Sequence, residues 1–308
     1  MPDADTFLTT LYVMADDFAK AFLPAEARPG PRPSLARSEV VTLALFGQFS
    51  HFLSERDFYR WARRHLRAAF PALPARTQFN RLLRRHAASI TAFGLHLSRL
   101  LGAGRAAYQA LDSTALVVGD SRRRGRGRMA GQADIGWSNR LGWFEGFHLL
   151  VAVTPAGVVT GYGLAPASVK DQPLAETFFA ARHDPQPPLP GVGVRSAAPY
   201  VVDKGFEGYD RHQRWARDYG AAVIGLPKRD SRWAWPRQMR RFVAGVRQIV
   251  ETVNEKLQHA FRLSRERPHA LEGAQARVAA KVALHNFCIW LNRQLGRPGL
   301  AFADLVDW

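Results

Sequence analysis

The chain has 308 residues, a formal net charge of +17 at pH 7 and a pI near 11.0, and 37 of its 43 basic residues are arginine. A single cysteine, Cys288, excludes an internal disulfide framework and a zinc site built from several thiolates. No apolar run spans a bilayer, and MPDADTF lacks the positive charge of an export signal, so the expectation is a cytoplasmic chain whose charge meets a polyanion, usually nucleic acid.

In chain order, the first hundred or so residues read as helical. Residues 4–22 place Phe7, Leu8, Leu11, Met14, Phe18 and Phe22 at helical spacing, and the four prolines of PAEARPGPRP (24–33) end that helix. SLARSEVVTLALFGQF (34–49) reads as a helix capped by Ser34, ERDFYRWARRHL (55–66) as a third, and FPALPA (70–75) as a turn. Residues 76–101 are one long basic amphipathic helix or two in tandem. The third and fourth pieces are compatible with a helix-turn-helix carrying Arg76, Arg81, Arg84 and Arg85 on its recognition element, or with a plain helical bundle.

The pattern changes near residue 106. YQALDSTALVVG (108–119) reads as a strand interrupted by Asp112, and RRRGRGR (122–128) as a glycine-spaced loop whose Arg122, Arg123, Arg124, Arg126 and Arg128 suit a phosphate backbone. GFHLLVAVTPAGVVTGYGL (146–164) is two strands around a Pro-Ala-Gly turn, and DQPLAETFFAAR (171–182) a helix with Asp171 as N-cap. A Pro/Gly-rich linker (185–193) leads to the short strand of PYVVDKGFEG, which ends on Asp203. A helix (209–220) and a strand (221–228) follow. The stretch 228–241 sets Trp233 and Trp235 among Lys228, Arg229, Arg232, Arg237, Arg240 and Arg241, a composition that stacks on bases and holds phosphates. Helices over 237–263 and 270–295 complete an order β, β, β, α, β, α, β, α, α behind an all-helical segment, with a boundary between 1–105 and 106–308.

A carboxylate at the mouth of a buried strand is costly to desolvate unless it caps a helix or binds something. Asp112 and Asp203 stand 91 residues apart, yet the first and fourth strands of such a sheet can lie side by side. The long helix then brings a third carboxylate, Glu251 or Glu255, one turn apart and not separable by periodicity. Three hard oxygen ligands suit Mg²⁺ or Mn²⁺, and a pair of such ions serves in-line phosphoryl transfer. Lys204 is read as a supporting cation beside Asp203 or as a solvated lysine.

The stretches ALDST (110–114), GFHLLVAVTPAGVVTGYGL, ASVKDQPLAE (167–176), VVDKGFEG (201–208) and RQIVETVNEKL (247–257), in this order, resemble the DDE transposases of bacterial insertion sequences. SLARSEVVTLALFGQF and FPALPARTQFNRLLRR resemble the helical DNA-binding region of the same group, so the likeness covers nearly the whole chain. The resemblance implies a ribonuclease-H-like mixed sheet flanked by helices, preceded by an all-helical N-terminal domain. It implies a metal-binding triad of Asp112, Asp203 and Glu251, and it alone prefers Glu251 to Glu255. Arg247 matches the family's arginine four residues before the glutamate, one helical turn away. The chain departs from the common pattern at Gln258, Ala244 and His148, where relatives carry Lys, Tyr and Lys. The implied activity is cutting at transposon ends and joining to target DNA, with two Mg²⁺ or Mn²⁺ ions. The implied partners are double-stranded terminal repeats and target DNA, a second copy of the chain in a synaptic assembly, and the bacterial nucleoid. The competing readings are a DNA-binding regulator without catalysis and a ribonuclease-H-like nuclease that does not join strands.

Overall fold

The computed structural model describes residues 2–25, 33–123, 129–138, 140–184, 191–193, 196–225 and 235–308. Five helices come first: α1 (Ala4–Phe22), α2 (Arg37–Phe46), α3 (Glu55–His65), α4 (Arg76–Arg85) and α5 (Ala87–Leu100). Asp3 starts α1 by accepting the Thr6 amide at 2.7 Å, and Ser54 starts α3 by accepting that of Asp57 at 3.1 Å. Ser34 does not cap α2. That helix begins after Ala36, whose amide is satisfied by the Glu39 carboxylate at 2.5 Å, so a glutamate reaching back does the work expected of a hydroxyl. Residues 76–101 form the tandem pair, broken at the buried His86.

The last helix, α9 (Leu271–Gln294), is apolar on nearly every side because it runs through the middle of the molecule, touching α2, α4 and α5 on one side and β4 (Val159–Pro166) on another. Gly94 lets α5 approach closely, since a Cβ there would sit 3.1 Å from that of Ala283. Asn286 of α9 donates to Gly94 O at 3.1 Å and makes both backbone hydrogen bonds of Val159, at 3.0 and 2.9 Å. One buried amide therefore ties the helices to the sheet. The helices α1–α5 and α9 share a single hydrophobic core with one face of that sheet.

The sheet adds β1 (Gln109–Gly119), β2 (Asp134–Ser138), β3 (Gly142–Val153), β5 (Tyr200–Val202) and β6 (Val223–Gly225) to β4. Its order is β2-β3-β1-β5-β6, with β4 beside β3. β1, β3, β4 and β2 are joined antiparallel, whereas β1–β5 and β5–β6 are parallel. The turn between β3 and β4 uses Gly157 at φ 78°. α6 (Asp171–His183) and α7 (Tyr209–Tyr219) cover one face, where Leu111, Leu150, Tyr200 and Val202 meet Phe178, Phe179 and Trp215. α8 (Arg237–Glu255), prolonged by a π-helical turn Lys256–Ala260, crosses the other face with α9. The result is a mixed α/β sheet flanked by helices.

The strand β2 is absent from the sequence-based order, and β3 starts earlier than expected. DIGWS carries Asp, Gly and Ser, which read as turn residues; it becomes a strand by pairing with the exposed start of β3, a tertiary effect that local propensity does not carry. Among the described residues no helix is long and apolar enough to cross a membrane.

Candidate active site

The parallel register of β1 and β5 pairs Leu111 with Val202, which makes Asp112 and Asp203 the next residues on adjacent strands. β5 stops there because the Asp203 carboxylate accepts the Lys204 amide and opens a single tight turn, Lys204–Phe206. The cap and the site are thus both served by Asp203: Oδ1 takes the amide, and Oδ2 stands 3.3 Å from Arg247 Nη2. The same nitrogen lies 3.1 Å from Glu251 Oε1, one turn on along α8. One guanidinium therefore draws a strand-end carboxylate and a helix carboxylate to within about 6.4 Å of each other. Glu255 is elsewhere, lining a cavity of about 490 Å³ with His51, His259 and Trp308.

Asp112 carries the strongest electrostatic signature. Burial pushes its carboxyl up to about 7, against the opposing pull of the Ser113 amide and the Arg247 charge, and the neighbouring Asp171 and Asp203 push it further. Two residues along β1 on the same face, Thr114 Oγ1 accepts from Gln258 Nε2 at 3.1 Å, and Gln258 also donates to Ala115 O at 2.9 Å. Gln258 is thus an anchor that holds the end of α8 against the strand bearing Asp112. A lysine there would carry a charge into a buried position.

Sequence reasoning missed Asp171 as a neighbour of this site. It is the first residue of α6 rather than its cap, which is Lys170. Its carboxylate is turned instead to the sheet, accepting Ser113 Oγ at 2.5 Å, with His148 Nδ1 3.5 Å away. Burial pushes the Asp171 carboxyl up, but His148 and the Ser113 hydroxyl outweigh that and hold it below the ordinary value. The ring of His148 is stacked on Phe144, centroids 5.8 Å apart. The signal was available in ASVKDQPLAE, but an aspartate two residues before a proline reads equally well as a helix cap.

The donor set of Asp112, Asp203 and Glu251 is chemically suited to a hard divalent cation, and a buried carboxylate with a raised pKa is short of positive charge. The present spacing is set by Arg247, and among the described residues no three acidic, histidine or cysteine side chains stand close enough together to hold a metal ion. Glu251 is 56% exposed where it pairs with Arg247. Lys204 is exposed beside Asp203.

The basic residues are spread more widely. Arg237, Arg240 and Arg241 are exposed on the first two turns of α8, and Arg122 is exposed beyond the end of β1. Arg81, Arg84 and Arg85 are exposed on α4, whereas Arg76 lies 3.7 Å from Glu55 of α3. Arg124, Arg126, Arg128, Lys228, Arg229, Arg232 and Trp233 lie outside the described residues, as does the side chain of Arg123.

Compared with known proteins, residues 108–287 match the family described as "Transposase DDE domain". No curated protein and no solved structure matches the chain. The matched span runs from the start of β1 into α9 and includes every residue of the constellation above.

Proposed function

The chain belongs to the DDE transposase family, and from that premise we propose that it cuts phosphodiester bonds at the ends of its own insertion sequence and joins the exposed 3′-hydroxyl to target DNA. The observation that carries the reading is the adjacency of Asp112 and Asp203 on β1 and β5, with Arg247 linking Asp203 to Glu251. In this reading the sheet is ribonuclease-H-like, and Asp112, Asp203 and Glu251 hold two Mg²⁺ or Mn²⁺ ions. When bound, such ions activate the attacking oxygen and offset the charge that develops on the leaving one.

The remaining roles belong to the protein. Asp112 keeps its carboxylate in a water-poor position between strand and helix, so its charge is available to a cation rather than spent on solvent. Arg247 holds Asp203 and Glu251 in reach until they are needed, and is then left facing the phosphate. Lys204 supports from the exposed turn. Arg237, Arg240 and Arg241 continue the positive surface of α8, and Arg81, Arg84 and Arg85 offer a second one on the N-terminal helices; together with the +17 charge they support binding of duplex ends and target. Two ends must be held at once, so a dimer or larger synaptic assembly is part of the proposal.

The test is to incubate the protein with labelled DNA carrying the ends that flank its gene, in Mg²⁺ or in chelator. Nicking at the element boundary that needs Mg²⁺ and is lost in Asp203→Ala is the expected result. Binding without nicking in either condition would instead favour a DNA-binding regulator, and nicking without joined product a plain nuclease.

Asp171 enters as a positioning residue. Its hydrogen bond to Ser113 pins β1 at the residue next to Asp112, on the opposite face, so Asp112 is kept turned toward α8. Asp171→Asn is expected to lower nicking by about 10–100-fold and to raise the Mg²⁺ concentration needed for half-maximal rate, as outer partners of metal ligands do. A variant with a reduced rate but an unchanged Mg²⁺ requirement would rule this role out.

A further inference from the structure

At the end of the sheet away from the carboxylates stands an exposed aromatic pair. Trp137 and Trp143 face each other across the β2–β3 hairpin as register partners, with Arg140 in the turn between them. The indoles are 54% and 66% exposed, their centroids 5.5 Å apart and their planes at 70°. Two adjacent, largely exposed tryptophans are uncommon on a surface that meets only water.

Strand alternation decides which way they face. Trp143, Phe147 and Val151 project to one side of β3, and Val151 is the register partner of Asp112. Gly136 and Phe144 project to the other, where a Cβ on Gly136 would come 2.4 Å from Ala167 O and Phe144 stacks on His148. The indoles therefore share the face of the sheet that carries Asp112, eight positions along β3 from Val151. At about 3.4 Å per residue that separation is roughly 27 Å.

The exposed charge beside the hairpin is mostly arginine, while Glu145, two residues from Trp143 on the same face, is buried. Arg140 and Arg122 are exposed, and Arg267, also exposed, donates to Val117 O of β1 at 3.4 Å. The exposed acid nearby, Asp120, is engaged by the Arg122 amide at 3.0 Å, and Asp134 by that of Ile135 at 2.7 Å.

We propose that this hairpin is a second DNA contact, at which Trp137 and Trp143 stack on unpaired bases of a strand whose phosphates are held by Arg122, Arg140 and Arg267. Every base offers a π-face, so two indoles give affinity without sequence preference, and arginines supply the backbone contact. A second copy of the chain is the poorer occupant, because a two-fold contact would bring this arginine cluster against itself. The proposal rests on the transposase reading only for DNA as the substrate. It adds a surface that grips an opened strand roughly 27 Å along the sheet from Asp112.

The experiment compares the full-length protein with Trp137→Ala/Trp143→Ala in chelator, by fluorescence anisotropy. The probes are a blunt duplex and the same duplex carrying about 12 unpaired thymidines, within the footprint of known single-strand-binding surfaces. The wild type is expected to prefer the tailed DNA by about tenfold or more. The double alanine variant is expected to lose that preference while binding the blunt duplex within about twofold of wild type, and Trp137→Phe/Trp143→Phe to keep most of it. Equal loss on both probes, or no loss on the tailed one, overturns the proposal. So does a dimer that dissociates in the alanine variant at unchanged tail affinity, which would assign the face to a second copy. Because chelator suppresses cutting, a protein that grips tails but never nicks would retire the transposition mechanism and leave this site standing.

Discussion

Asp112→Asn is expected to abolish Mg²⁺-dependent nicking and, in metal-free protein above pH 7, to raise the melting temperature. The two effects share one cause. Asp112 has its carboxyl pushed up to about 7 from an ordinary 3.8, chiefly by burial. Between those values the folded chain holds a proton that the unfolded chain has released, so stability falls as pH rises through the window and is lowest above it. Each pKa unit corresponds to about 1.36 kcal/mol, and allowing for the solvent that still reaches the site the penalty is on the order of 2 kcal/mol. Asparagine removes it. For a chain of this size the gain is a few degrees in chelator at pH 8. If Asp112 is one of the proposed metal ligands, Mg²⁺ should stabilise the wild type more than the variant, which keeps only Asp203 and Glu251 of that set. The loss of activity should reach roughly 10³-fold or more, because several kcal/mol of transition-state charge stabilisation go with a metal ligand. Differential scanning calorimetry at pH 5 and pH 8, beside the nicking assay, checks both. A variant less stable than wild type at pH 8 without metal would mean that Asp112 is structurally satisfied and carries no stored penalty.

Glu266→Ala should be the most damaging substitution away from the site. Glu266 follows the tight turn Leu263–Arg265 and meets Lys281 Nζ at 2.6 Å and Arg277 Nε at 3.6 Å. Lys281 is 1% exposed and also donates to Gln48 Oε1 at 2.5 Å; Arg277 continues to Glu55 at 2.5 Å. The network joins the end of α2, the start of α3, the segment that follows α8, and α9. Burial pulls the Lys281 ammonium down to about 8 even with Glu266 present. Without Glu266 that charge has no anion, and the expected loss is about 3–5 kcal/mol. Glu266→Leu with Lys281→Met, which removes both charges, should recover most of it. Burial raises the Glu266 carboxyl, but Lys281 and Arg277 outweigh this and hold it below its ordinary 4.5. The sign follows: its contribution is complete above 4.5 and is lost as pH falls toward the lowered native value. Urea unfolding at pH 7 and at acid pH measures both effects. A single alanine variant that unfolds within about 1 kcal/mol of wild type would show that the network is solvated and adds little.

Much of the candidate site's placement was legible because its parts obey short-range rules. Three β-formers running into an acid announce a strand with a carboxylate at its mouth, and this holds for Asp203 at the end of Tyr200–Val202. Arg247 and Glu251 share a helix face at any phase of α8, since four residues are one turn. What periodicity left open between Glu251 and Glu255 is a matter of where α8 crosses the strands, and that depends on Val243, Val246, Val250 and Val253 packing inward. Asp171 reads locally as a cap, although its partner Ser113 is 58 residues away. No local pattern reports that pairing.

The amino-acid sequence by itself determined most of the alternation of helices and strands, the basic character that selects a polyanion, the family, and the dispersed carboxylates of the candidate site. These follow from side-chain periodicity, charge and motif order, all of which are properties of neighbours in the chain. Only the tertiary structure decided that DIGWS is a strand, that Gln258 anchors α8 to Thr114, that Asp171 braces β1, and that two tryptophans stand exposed on the face of Asp112. Each of these is a contact or a burial between residues distant in sequence. Its free energy comes from desolvation and packing, which exist only once the elements have come together.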